Sequence, residues 1–350
     1  MNGPLIDNWI KEIPKVDLHL HLDGSLNPKT VLELAEISGI PLPATTEDRL
    51  RPYLQIDEDC NSLRQYLTRF EIVLPLLQTK YALERAAYEM VAQVSVQNCI
   101  YIEVRFGPQL HREKGLSLPE ILEAVLMGLK RGEAEFGVTT GLIACCLRHH
   151  DKNANLDVID ASKVYIGKGL AGVDLAGDEA SFPPLLFKQI FLKAEQCGLP
   201  ITIHAGEAGG ADNIYHSVHA LHANRIGHGI RLREDDSLLN LMREKQIPLE
   251  MCPVSNIQTK TCAGWKDYPV RDYFDYGLPV TINTDNLTVS NTTISREYQI
   301  LHEKYGFDKD EMVQLVLNGI NAAFVDKEQK ALLVNRFLET AKNINMNESL

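Results

Sequence analysis

His19 and His21 lie two residues apart in the segment Val16-Asp17-Leu18-His19-Leu20-His21-Leu22-Asp23. On an extended strand, side chains two apart project to the same face. Two imidazoles so placed can grip one metal ion, although a lone His-x-His also fits a surface role. Three later segments carry residues of the same kind: Thr202-Ile203-His204-Ala205-Gly206-Glu207, Gly227-His228-Gly229 and Asn283-Thr284-Asp285-Asn286. Each sets a metal-competent or proton-transferring side chain at the end of a short apolar run. His19, His21, His204 and Asp285 together offer three nitrogens and one oxygen, a donor set suited to Zn²⁺ with a position left for water. Such an ion draws the pKa of a bound water toward neutrality. Glu207 is then free to act as an acid, and His228 to act as a base or to orient the water. The ensemble reads as a metal-assisted hydrolase that needs no other cofactor. One zinc per chain is expected, because the run Leu170-Ala171-Gly172-Val173-Asp174-Leu175-Ala176-Gly177 has no lysine to bridge a pair; Asp174 and Asp178 keep two metals open.

Something must bring these distant residues to one place. Eight short apolar runs recur along the chain, at 16–22, 99–106, 140–147, 170–177, 200–206, 225–229, 248–255 and 279–285. Between them the periodicity turns helical: Leu118, Ile121, Leu122, Val125, Leu126 and Leu129 mark one buried helix face. Leu238, Leu239 and Met242 do so in a shorter helix. Continuously apolar strands alternating with helices indicate a parallel sheet covered on its outer face. Eight such units predict an α/β fold, a (β/α)8 TIM barrel, whose active site lies at the C-terminal ends of the strands. The polar residues above occupy those ends. A doubly wound open sheet is the rival, but no Gly-x-Gly-x-x-Gly or P-loop follows any run. The chain is read as one domain over residues 1–350. Helices at about 27–98 form an insertion over the C-terminal mouth, and about 293–350 form a helical tail.

Composition narrows the partners. The 350 residues are 45% hydrophobic and 23% charged, with a net charge of −12, which argues against a nucleic-acid partner and against adhesion to an anionic membrane. Seven cysteines without a Cys-x-x-Cys pair indicate neither a disulfide framework nor a thiolate zinc site. The sequence begins without the pattern of a signal peptide and has no long apolar run, so a cytoplasmic enzyme is expected, as a monomer or homodimer.

The segments resemble the adenosine deaminase family of the amidohydrolase superfamily. The likeness runs through Asp17-Leu18-His19-Leu20-His21-Leu22-Asp23-Gly24-Ser25, Tyr101-Ile102-Glu103-Val104-Arg105-Phe106 and Asp174-Leu175-Ala176-Gly177-Asp178-Glu179. It continues through His204-Ala205-Gly206-Glu207, Arg225-Ile226-Gly227-His228-Gly229, Cys252-Pro253-Val254-Ser255-Asn256 and Asn283-Thr284-Asp285. The resemblance implies that His19, His21, His204 and Asp285 hold the zinc. It implies that Glu207 protonates N1 of a purine and His228 assists the water attacking C6, after which ammonia leaves. His21, Asp23, Gly177 and Asn286 would contact substrate: the Gly177 backbone at ring N3, and Asp23 at the ribose 5′-hydroxyl. Leu63, Tyr66, Leu67 and Phe70 match the family's apolar gate, though ordinary helix packing would use the same face. One departure is Asn286, where the family often has an aspartate against purine N7. An asparagine NH₂ donates at any ordinary pH, so the contact survives in principle. The expected substrates are adenosine and 2′-deoxyadenosine.

Alternatives are the same chemistry on adenine, a modified adenosine or AMP, and an amidohydrolase acting on a pyrimidine amine or cyclic amide. A phosphate would need a cationic cluster, and near a strand end Arg105, Arg112 and Lys114 form the only one. A catalytically dead barrel used for binding is opposed by the presence of every expected ligand. His216, His219 and His222 read as surface helix residues, Cys145 and Cys146 as small core residues, and His149 or His150 as a residue able to reach the rim.

Overall fold

The structure is a computed structural model that describes residues 6–56 and 60–343. Eight strands form: β1 (Lys15–His21), β2 (Cys99–Phe106), β3 (Thr139–Leu147), β4 (Leu170–Ala176), β5 (Thr202–Ala205), β6 (Arg225–His228), β7 (Leu249–Met251) and β8 (Val280–Ile282). They pair in parallel and in sequence order as two four-stranded sheets. Backbone bonds close both seams. Val173 N–H donates to the Pro200 carbonyl at 2.9 Å between the sheets. At the other seam His21 N–H donates to the Asp285 carbonyl at 2.7 Å, and Asp285 N–H to that of His19 at 2.8 Å. The expected barrel is therefore present.

Several of the expected strands are shorter than their apolar runs, two of them by four residues or more. The run at 248–255 yields only β7, and Pro253–Gln258 is helical. Pro253 lacks an N–H and has a fixed φ, both suited to the first turn of a helix. The run at 279–285 ends as β8 at Ile282, and Asp285 takes a left-handed φ of 60° that no strand continues.

The helix Leu118–Phe136 begins with a capping box between Ser117 and Glu120 and buries Ile121, Leu122, Val125 and Leu129, the predicted face. The helix Lys80–Ser95 packs along it in the outer layer, so the stretch 27–98 does not all lie over the mouth. At the crossing, a Cβ on Gly128 would lie 2.1 Å from the Glu84 carbonyl oxygen. A backbone atom cannot yield as a flexible side chain can. Gly128→Ala should therefore lower stability by about 1–3 kcal/mol through overpacking, despite the ~1 kcal/mol that alanine gains in helix propensity. Denaturant melts check this, and an unchanged or raised midpoint would show that the helices part freely.

The tail consists of helices Ile294–Tyr305, Lys309–Ala322 and Lys327–Asn343; residues 344–350 of the expected tail lie outside the described residues. Within the barrel the strands alternate. On β2, Ile100, Ile102, Val104 and Phe106 join the apolar core, whereas Tyr101, Glu103 and Arg105 enter a buried polar network. Arg105 pairs with Asp174 at 3.1 Å and Glu250 at 2.8 Å, and Arg225 pairs with Glu250 at 2.7 Å and with Glu103. Fully buried charges persist only when paired in this way. The network forms the floor on which the rim residues stand.

Candidate active site

The C-terminal ends of β1, β5, β6 and β8 bring their polar residues together. His19 Nε2 lies 3.0 Å from His204 Nε2, and His21 Nε2 lies 3.2 Å from the same atom. Asp285 Oδ1 stands 3.4 Å from His21 Nε2 and 3.8 Å from His19 Nε2. His19, His21 and Asp285 form one group able to hold a metal ion; His19, His204 and His228 form another.

The surrounding bonds set how these imidazoles face. His19 Nδ1 meets Glu250 Oε2 at 2.8 Å, and His204 Nδ1 meets Asp174 Oδ2 at 2.9 Å. Each carboxylate holds a hydrogen on Nδ1, which turns the bare Nε2 lone pair inward. Nitrogen lone pairs converging at such distances repel one another unless a cation lies between them. The donor set thus fits zinc in type and in orientation. Burial opposes ionisation of Asp174, yet His204 and Arg105 hold its carboxyl well below the usual range. Burial, and the proximity of Arg105 and the neighbouring imidazoles, lower the proton affinity of His19 and His21. Both effects favour ligation.

Two residues at this rim adopt backbone conformations that non-glycine residues rarely occupy: His228 has φ 63° and Asp285 has φ 60°. Such strain persists where the surroundings over-determine it. For Asp285 the β1 seam bonds and Ser255 Oγ, donating to Oδ2 at 2.5 Å, supply that restraint. For His228 it is Asn256, at 3.0 Å from Nδ1.

Glu207 follows β5 in a turn gathered around a second carboxylate. Glu179 accepts the backbone N–H groups of Gly206, Glu207, Ala208 and Gly209 and the amide of Asn213, all at 2.8–3.0 Å. Burial, then the charges of Asp285 and Glu179, push the Glu207 carboxyl well above its usual range, which favours its protonated form. Its Oε2 lies 3.5 Å from His228 Nε2.

A cavity of about 400 Å³ opens onto this cluster. Its lining includes His21, Asp23, Gly177, His204, Glu207, His228, Asp285 and Asn286, together with Leu63, Tyr66, Leu67 and Phe70. Of the residues expected at the site, only His19 is not on that lining; it sits beneath, fully buried. Asp23 Oδ1 is buried without a hydrogen-bond partner, and burial pushes its carboxyl up to about 7. Asn286 donates one amide hydrogen to Asp285 Oδ1 at 2.7 Å, and its side chain also hydrogen-bonds the Tyr66 hydroxyl. It packs so closely on Gly24 that a Cβ there would lie 1.6 Å from Asn286 Oδ1.

Several lining residues carried no expected role: Glu71, Leu74, Leu110 and Leu147; Asp178, considered for a second metal, also lines the cavity. His149 also lines the cavity, the rim position considered for it. So does Cys145, which is more than a core residue and donates its thiol to Asp174 at 3.6 Å. The supporting Asp174, Glu250 and Glu179 had one sequence signal, a carboxylate within or just after an apolar strand. The cationic cluster does not survive folding. Arg105 is buried in ion pairs, while Arg112 is exposed and bonded to Gln109 at 3.0 Å. His222 pairs with Glu195 at 2.6 Å, and neither it, His216 nor His219 joins a metal-capable group among the described residues.

This arrangement can be set beside known proteins. The adenosine deaminase family profile matches residues 14–340. An adenosine deaminase of Enterococcus faecalis is 44% identical over 327 residues, covering 93% of this chain and 96% of that protein. Among solved structures, an adenine deaminase from Arthrobacter aurescens superposes with a TM-score of 0.87 at 29% identity, over 94% of this chain and 99% of that one. An N6-methyl-AMP deaminase from Arabidopsis thaliana gives 0.85 at 25% identity, over 96% and 99%. These proteins differ in the purine they are named for, yet the two solved structures share this fold over nearly their whole length. With nearly the whole barrel matched in sequence, the chain belongs to the adenosine deaminase family.

Proposed function

We propose that this chain hydrolyses adenosine and 2′-deoxyadenosine to inosine and 2′-deoxyinosine, releasing ammonia. The observation that carries the reading is a buried carboxyl, Glu207, beside an inward-facing His/Asp donor set in one cavity of nucleoside size. His19, His21, His204 and Asp285 would hold a single Zn²⁺, which supplies Lewis-acid charge and an acidified water. Glu207 carries its proton to N1 of the purine, which makes C6 electrophilic. His228 faces the attacking water. Gly177 and Asn286 flank the ring, and Asp23 offers its unpartnered oxygen to the ribose 5′-hydroxyl. Leu63, Tyr66, Leu67 and Phe70 exclude bulk water, which strengthens every polar contact inside.

The same cavity separates a nucleoside from a nucleotide. Its lining has no lysine or arginine among the described residues, and it carries Asp23, Glu71 and Asp178. A 5′-phosphate would meet carboxylates with no cation to pair it. Ultraviolet assays of the zinc-loaded protein with adenosine, adenine and AMP test this directly. Adenosine should be consumed in a chelator-sensitive reaction, with kcat/KM for AMP lower by at least ~10²-fold, the loss expected from leaving charges unpaired. Preference for AMP or adenine would overturn the substrate assignment.

A further inference from the structure

His228 is the one rim histidine whose Nδ1 meets an amide rather than a carboxylate. Its neighbour there is Asn256 Nδ2, at 3.0 Å. The orientation of that amide is set from its other side. Asn256 Oδ1 lies 3.2 Å from the backbone nitrogen of Cys252 and 3.3 Å from the Tyr268 hydroxyl. A backbone N–H can only donate, so the atom facing it is the carbonyl oxygen. The atom facing His228 is therefore the NH₂ group, which also only donates. His228 Nδ1 must accept, and the imidazole hydrogen must reside on Nε2. Asn256 is fully buried and His228 nearly so.

We infer that Asn256 is a positioning residue that locks His228 in the Nε2–H tautomer, making His228 a hydrogen-bond donor to the attacking water and not its base. The lock is the opposite of the one on His19 and His204, whose carboxylate partners keep Nδ1 protonated and Nε2 bare. It also removes His228 from the group it forms with His19 and His204, since an Nε2 that carries a hydrogen has no lone pair to give. His228 is thereby excluded as a ligand, and its Nε2 lies 3.5 Å from Glu207 Oε2.

The proton traffic then balances on Glu207 alone. Glu207 gives its proton to N1, and as water oxygen bonds to C6 the freed carboxylate takes one water proton. Glu207 passes that proton to the amine as the C6–N bond breaks. The carboxylate then recovers the remaining hydroxyl proton as the C6 carbonyl forms. The products are inosine and ammonia, and Glu207 ends protonated as it began. This sequence rests on the deaminase reading above; the tautomer does not.

Nitrogen-15 NMR of the zinc-loaded, histidine-labelled protein reads the tautomer without turnover. His228 should show a bare Nδ1 and a protonated Nε2, and Asn256→Asp, whose carboxylate accepts, should exchange the two signals. The same variant should lower kcat for adenosine by about 10²–10³-fold, the usual cost of losing one preorganised donor. KM should stay within about threefold, since ground-state binding is untouched. A wild-type His228 protonated on Nδ1 overturns the inference even if no variant folds. So does an Asn256→Asp enzyme with exchanged signals and wild-type kcat. Wild-type protein inert toward adenosine but with the expected tautomer would reject the substrate reading and leave the lock standing.

Discussion

Glu207→Gln is expected to leave zinc content and substrate affinity nearly intact while lowering kcat by about 10²–10⁴-fold, the range for removing a general acid. Glutamine preserves the shape and can donate a hydrogen bond to N1, but it cannot transfer a proton. The turn that carries residue 207 is held by Glu179 through backbone N–H groups, so the substitution does not release it. The pH dependence follows from the direction of the shift. Burial raises the Glu207 carboxyl well above the ordinary range, and the protonated form is the active one. Activity due to Glu207 is present on the acid side of its folded-state pKa and falls as pH rises through it. In Glu207→Gln the residual activity should lose that alkaline limb. Steady-state kinetics across pH provide the check, and wild-type turnover in the variant would remove Glu207 from the mechanism.

His19→Ala should lose metal occupancy and activity together. The side chain is fully buried and directs Nε2 to the centre of the donor set, with Nδ1 secured on Glu250. Removing an outer partner of a ligand commonly weakens a site by about 10–100-fold, and removing the ligand itself should exceed that. The change also strips Glu250 of one partner, although Arg105, Arg225 and Thr202 continue to satisfy it at 2.7–2.8 Å. The barrel should therefore stay folded, with circular dichroism close to wild type and metal analysis near zero after dialysis. A variant that keeps a full zinc complement would show that the ligand set is misassigned.

Much of the fold was readable in advance because a barrel strand obeys a short period. Apolar runs separated by helical periodicity recur eight times, and their polar ends fall on one rim in any parallel barrel. That is why His21, His204, Glu207, His228 and Asp285 converge on a single cavity as their positions in the chain imply. Local chemistry that cuts against the hydrophobic pattern was harder to read. Val254 and Ser255 continue an apolar stretch, yet Pro253 starts a helix there.

Pairing was not legible at all. Glu103, Arg105, Asp174, Arg225 and Glu250 stand in five places along the chain, and nothing local says which carboxylate meets which guanidinium. Only closure of the barrel brings them within reach, and closure is what converts a cationic cluster seen in sequence into a buried Arg105 and an exposed Arg112. The tautomers belong to the same class. His19, His204 and His228 are chemically identical as residues. Glu250 and Asp174 hold the hydrogen on Nδ1 of the first two, and Asn256 turns it to Nε2 of the third. The sequence by itself determined the barrel and the residue types on its rim, because both follow from short-range periodicity. The direction each rim nitrogen faces, and hence whether it can bind a metal or donate to water, was decided by partners that only tertiary contact supplies.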